Sequence, residues 1–133
     1  MRLLLDTHIA LWAVTDDPKL SRQARILINN QSNTMAVSVI SLWEVAIKQM
    51  MSARRKAADP LPLTVEEAAI AFSEAGFDIL NLTAKHVGAL AALAPLHADP
   101  FDRILVAQAL SEGMRLLTND HRLPAYSDTV IAN

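Results

Sequence analysis

The chain has 133 residues, 52% hydrophobic and 20% charged, a composition that suits one globular domain with one core. It has no cysteine, which rules out both a disulfide framework and a thiolate metal site. The net charge of −2 rules out a general polycation, so any nucleic-acid binding must use a local basic patch or metal ions.

The stretch RLLLD, residues 2–6, reads as a short buried strand ending on Asp6, and HIALWAVT follows at once with helical character. SRQARILINN places Leu20, Ala24, Leu27 and Ile28 on one helical face, with Ser21 as its cap. TMAVS is a second strand and VISLWEVAIKQMM a long apolar helix. SARRKAADPLPL, with two prolines and the basic run Arg54-Arg55-Lys56, is the clear breaker, and its basic run reads as a solvated loop. TVEEAAIAFSEAG opens on a threonine cap with acids in its first turn and closes on Gly76. FDILNL is a third strand, TAKHVGALAALA a small-residue helix, and DPFDRILVAQALSEG a helix closed by Gly113. MRLLT and DTVIA complete a set of about five strands.

Short apolar strands alternate with helices, and no adjacent strand pair carries a hairpin turn signal. This predicts a single α/β domain over residues 1–133 with a central parallel sheet covered on both faces. No apolar run reaches the roughly 18 residues that span a membrane. The apolar run after Met1 is too short for the core of a signal peptide, so a soluble, cytoplasmic protein is expected.

Ligands of parallel α/β sheets bind beyond the carboxyl ends of the strands. Asp6 and Asp120 sit there, although a cap or a turn explains either one alone. Glu44 lies inside an apolar helix, with Ile40, Ile47 and Met51 on its face. A carboxylate there is costly unless it is paired or bound to metal, and the structural alternative is an ion pair with Lys48. Asp102 shares its face with Leu105, Val106 and Ala109. Asp99 and Pro100 form a good helix start, Asp99 as N-cap and proline in the first helical position. Four acids converging on one site, with no thiolate, suit Mg²⁺ or Mn²⁺.

LLLDTH, SLWEVAIK, HADPFDRILVAQAL and LLTND, in this order, resemble the PIN-domain family, and within it the VapC-type toxins of type II toxin–antitoxin pairs. The resemblance implies a three-layer α/β/α fold and a metal-dependent endoribonuclease that hydrolyses RNA phosphodiesters with metal-activated water. It also implies a small cognate antitoxin. It carries the family's four acids, as metal ligands and catalytic residues, onto Asp6, Glu44, Asp102 and Asp120. Thr7, His8, Asp99 and Arg103 are candidates for substrate contact or for supporting the ligands. His97 is, with His8 and Arg103, a candidate for touching the scissile phosphate, although it reads more readily as a surface or capping residue, and Arg103 is expected to pair with Asp99 or another nearby acid.

Two other readings stay open. A phosphatase-type α/β hydrolase needs Asp-x-Asp after the first strand, where this chain has Asp6-Thr7-His8. An inactive PIN-like binding module is the other, and the presence of all four acids speaks against it. Trp12, Trp43 and Met50-Met51 exceed what one small core needs, so a homodimer is expected. Asp6→Asn and Asp102→Asn are each expected to abolish metal binding while leaving the fold intact, since removing one clustered carboxylate relieves repulsion.

Overall fold

The computed structural model describes residues 1–55 and 61–133. Five strands form one sheet: β1 (Arg2–Leu5), β2 (Thr34–Ser38), β3 (Asp78–Leu80), β4 (Arg115–Thr118) and β5 (Val130–Ala132). Their order is β3-β2-β1-β4-β5 and every pairing is parallel. The six helices among the described residues are α1 (Thr7–Thr15), α2 (Arg22–Asn29), α3 (Val39–Arg55), α4 (Val65–Glu74), α5 (Ala84–Ala92) and α6 (Pro100–Glu112). None of them is long and apolar enough to cross a membrane.

β1 explains the layering. Successive strand side chains point to opposite faces of the sheet. Leu3 and Leu5 join a core with Ile9, Leu11, Val45, Ala68, Phe72 and Leu117. Leu4 joins a second core on the other face with Ile104, Leu105, Val106, Leu116 and Leu123. Three leucines in a row are therefore what a strand buried on both faces requires. The result is the expected three-layer α/β/α architecture.

The caps follow the sequence. Ser21 accepts from the Ala24 N–H, Thr64 and Glu67 form a reciprocal capping box, and Asp99 accepts from the Phe101 N–H with Pro100 in the first helical position. Gly76 and Gly113 have φ of +78° and +64°, the left-handed conformation that glycine adopts without steric cost.

Several expectations need correction. α3 continues to Arg55, past the expected break after Met51, because alanine and arginine are strong helix formers. Arg54 and Arg55 thus belong to helical backbone, while Lys56 lies outside the described residues. β3 is shorter than FDILNL: it is an edge strand that pairs only with β2, and Phe77 is spent in the core. A 3₁₀ turn at Leu123–Tyr126 was not anticipated; it buries Leu123 against the second core. Trp12 is a core residue, not a surplus aromatic, whereas Trp43, Met50 and Met51 are exposed. Met51 therefore extends no buried stripe beside Glu44, although Ile40 is buried as expected.

Candidate functional site

β1 is followed in space by β2 on one side and β4 on the other, so the strand order reverses between β1 and β4. A crevice opens at the carboxyl ends of strands at such a switch point. Asp6 leaves β1 there, and Asn119 and Asp120 leave β4. α3 brings Glu44 and the first turn of α6 brings Asp102. These residues, with Thr7, His8, Lys48 and Asp99, line one polar cleft of about 180 Å³.

Asp6 is buried and held by three donors. Its Oδ1 accepts from the Ile9 N–H at 2.9 Å and so caps α1. Its Oδ2 accepts from the Thr118 hydroxyl at 2.7 Å and the Asn119 N–H at 2.8 Å. Burial pushes its pKa up despite these bonds, which pull it down. A carboxylate offers about four lone-pair sites, so three donors leave one toward the cleft.

Glu44 is also buried. Its Oε1 accepts from the Thr7 hydroxyl at 2.6 Å, and that hydroxyl lies 3.0 Å from the Ser41 hydroxyl. Its Oε2 pairs with Lys48 Nζ at 2.9 Å. The structural alternative weighed for Glu44 is therefore realised, at a buried carboxylate rather than on an exposed helix face. Thr7 fixes Glu44, and Lys48 brings a cation to the cleft.

Asp120 is gripped by Arg122: Nε and the backbone N–H donate to Oδ1 at 3.0 and 2.9 Å, and Nη2 donates to Oδ2 at 2.8 Å. The Arg122 guanidinium holds the Asp120 pKa down at about 2. Asp102 has no such cation. Burial raises its pKa to about 6; the His97 hydrogen bond pulls it down, while the charges of Asp99 and Asp6 push it further up.

His97 is the residue that sequence reasoning undervalued. Its side chain is only 5% exposed, and Nε2 stands 3.0 Å from Asp102 Oδ2 and 3.2 Å from Asp120 Oδ2. One ligand atom from each of these three residues lies within 4.8 Å of the others, the one such group among the described residues. The Asp6 and Glu44 carboxylates line the same cleft but are engaged by the donors named above. Thr118, Asn119 and Arg122 were also passed over, because a strand-end threonine and a turn arginine are unremarkable until the partner acid is placed beside them.

Among the remaining candidates, His8 lines the cleft with its ring 5.7 Å from that of Trp12. Asp99 lines it as well as capping α6. Arg103 makes no ion pair among the described residues, contrary to expectation. It follows Asp102 by about 100° around the helix, and its Nη2 reaches toward the Leu93 carbonyl at 3.5 Å. His86, which carries no sequence signal, is fully buried. Its Nδ1 accepts from the Thr83 N–H at 3.1 Å and its Nε2 pairs with Glu112 at 2.7 Å, away from the cleft.

The donor set fits a hard divalent cation. Five carboxylates line the cleft, against Lys48 in its wall and Arg122 behind Asp120. Oxygen-rich, negatively charged sites of this kind bind Mg²⁺ or Mn²⁺.

Comparison with known proteins bears on the family and the fold. The PIN domain family matches residues 3–128. Ribonuclease VapC22 of Mycobacterium tuberculosis is 32% identical over 124 residues, 93% of this chain and 91% of that protein. The crystal structure of VapBC2 from Rickettsia felis, bound to a DNA fragment from their promoter, is similar with a TM-score of 0.65 at 21% identity, covering 100% of this chain and 98% of that one. A toxin–antitoxin complex from Klebsiella pneumoniae gives a TM-score of 0.65 at 19% identity, covering 98% and 96%. The structural likenesses speak for the fold, and the family match and the curated relative speak for descent. With its sheet order, its switch-point acids and these relatives taken together, the chain belongs to the PIN-domain family, alongside the VapC-type proteins.

Proposed function

We propose that this chain is a metal-dependent endoribonuclease and the toxin of a toxin–antitoxin pair, acting in the cytoplasm. The observation that carries the reading is the cleft between β1 and β4, where Asp6, Glu44, Asp102 and Asp120 meet. The curated relative's name as a ribonuclease supports the activity. A bound Mg²⁺ or Mn²⁺ supplies Lewis acidity and lowers the pKa of water.

Within the chain, Asp102 and Asp120 offer the most convergent oxygens, and Asp6 offers its remaining lone pair from a rigid three-donor cradle. Thr7 holds Glu44 in place. Lys48 neutralises Glu44 and stands in the cleft wall, where a phosphate would meet its ammonium. Asp99 caps the helix that presents Asp102, so its role is to fix that carboxylate's position.

The toxin–antitoxin complex among the structural relatives supports a small antitoxin partner. An inhibitor of an acidic cleft would place an arginine or lysine on its carboxylates, since charge-assisted pairs are the strong ones. A homodimer would cover the exposed Trp43, Met50 and Met51 on α3. Expressed alone, the active chain is expected to slow growth, and co-expression of the small protein encoded beside it is expected to restore growth. Light scattering on the purified pair should count two copies of this chain. If the active chain neither slows growth nor binds the neighbouring product, the toxin reading fails even if the nuclease reading stands.

A further inference from the structure

We propose that a second cleft, beside the acidic one, seats an unpaired nucleotide of the RNA next to the phosphate that is cut, with Lys19 holding the neighbouring phosphate. This rests on the nuclease reading above.

The acidic cleft, at about 180 Å³, has room for a cation and a phosphate group. It falls below the roughly 300–1,000 Å³ of pockets that hold an organic ligand, and its carboxylates repel an RNA backbone. A larger cleft of about 490 Å³ adjoins it, and His8, Lys48 and Asn119 line both. A strand lying across that shared wall reaches from one cleft into the other.

The charges divide in the same way. In the second cleft Lys19 and Lys48 stand against a single acid, Asp17. Lys48 is paired with Glu44. Lys19 makes no ion pair among the described residues, and its ammonium lies 5.9 Å from the centroid of the Trp12 ring. Asp17 Oδ1 accepts from the Lys19 backbone N–H at 2.8 Å, so it fixes the turn that carries the lysine and leaves the ammonium free for a phosphate.

The rest of the lining suits a base. The rings of His8 and Trp12 have centroids 5.7 Å apart, and Leu61 and Pro62 add apolar surface. Walls of this kind take the face of an unpaired base whatever its sequence. Trp12 is nearly buried, so the half-buried His8 is the ring a base can meet. The Asn119 side chain is exposed and makes no hydrogen bond among the described residues, which leaves its amide for a base edge. A base stacked and paired in a duplex cannot enter such a cleft, so the RNA is single-stranded there.

The test uses Trp43→Phe, which keeps an aromatic ring beside Phe101 and leaves Trp12 as the one tryptophan. It is loaded with Ca²⁺ in place of Mg²⁺ to hold cleavage back, and titrated with a random-sequence, unpaired hexaribonucleotide. Anisotropy of a fluorescein-labelled sample reports binding, and Trp12 fluorescence with unlabelled RNA reports where it binds. Binding should quench Trp12. Lys19→Ala should weaken binding and lower the slope of log affinity against log salt by about 0.7, the loss of one phosphate contact on a single strand. Lys19→Arg should keep both. RNA bound with Trp12 unchanged, or a salt slope unmoved by Lys19→Ala, would overturn the inference and leave the nuclease reading intact. Adenosine 5′-monophosphate bound as tightly as the hexamer would also overturn it, since the cleft would then be a seat for a free nucleotide. No RNA binding at all would overturn it as well. Quenching by RNA that the parent fails to cut with Mg²⁺ or Mn²⁺ would keep the seat and sink the nuclease reading.

Discussion

Asp102→Asn is expected to lose activity by more than ~100-fold, beyond the usual effect of an outer-shell partner at a metal site. In metal-free buffer at pH 7 the same variant should melt several degrees above its parent. The cause is the raised pKa of Asp102, at about 6. Between the ordinary carboxylate range and about 6, the unfolded chain has released this proton while the folded chain still holds it. Stability therefore falls as pH rises through that window, and above it the penalty stays constant. Asparagine never ionises, so the variant's advantage should be absent near pH 4, grow toward pH 6 and then level off. Solvent screens this half-buried carboxyl, so a shift of this size corresponds to something on the order of 1–2 kcal/mol, hence several degrees of Tm in a domain of this size. Asp120 should behave oppositely. Arg122 holds its pKa at about 2, so its contribution is present above the ordinary carboxylate range and lost as pH falls toward 2. Asp120→Asn should thus lose stability at pH 7. Thermal melts of all three proteins from pH 2 to 8 decide the matter. A gap between Asp102→Asn and parent that does not change with pH would contradict it.

Asp6 is expected to be as necessary for cleavage as Asp102, but its removal should damage the fold. Asp6→Ala strips the cap from α1 and leaves the buried Thr118 hydroxyl and the Asn119 N–H without their acceptor. A lost N-cap costs about 1 kcal/mol, and the orphaned buried Thr118 hydroxyl costs about 1–3 kcal/mol, while the N–H of exposed Asn119 can turn to water. Relief of the buried charge offsets part of this, for a net loss of roughly 1–3 kcal/mol out of a typical ~5–15. Asp6→Asn should fall between Ala and the parent. Its amide has one oxygen, so either the Ile9 N–H or the Asn119 N–H must face an NH₂ group. Sequence reasoning treats Asp6 and Asp102 alike, as clustered acids whose neutralisation is harmless to the fold; the three donors on Asp6 separate them. Urea denaturation of the metal-free proteins at pH 7 measures the difference, and an Asp6→Ala variant as stable as the parent would sink this account of the cradle.

Legibility of the fold depended on range. Leu3, Leu4 and Leu5, the capping pairs at Thr64 and Asp99, and the closing glycines are local signals, and each element they mark is present. The 3₁₀ turn has no periodicity to read, and α3 outran its expected end because no local breaker stands at Met51. The site divides in the same way. Asp6, Glu44, Asp102 and Asp120 are conspicuous through position at a strand end or on an apolar helix. Their partners are not conspicuous, because the pairings are distant in sequence: Thr118 meets Asp6 across 112 positions and Thr7 meets Glu44 across 37. His97 is only five residues from Asp102, yet no helical or strand period relates them, since the turn capped by Asp99 lies between. Arg103 shows the reverse error: nearness to Asp99 suggested an ion pair, yet among the described residues the guanidinium pairs with no acid and reaches toward the Leu93 carbonyl instead.

The most direct test of the central claim is the chemistry of the cut ends. A nuclease that attacks with the RNA 2′-hydroxyl needs a base for its proton, and histidine is the usual choice near neutral pH. Two histidines come near this cleft, His8 in its wall and His97 behind Asp102 and Asp120, and His97 is occupied by those two carboxylates. The clustered groups are acids suited to a cation that activates water. In-line attack by water expels the 3′ oxygen. RNA cut by the purified chain with Mg²⁺ should therefore carry a 5′-phosphate on one fragment and a 3′-hydroxyl on the other. EDTA should stop the reaction and added Mn²⁺ should restore it. A 2′,3′-cyclic phosphate at the cut, or undiminished cleavage in EDTA, would contradict the mechanism and the roles assigned to Asp6, Glu44, Asp102 and Asp120.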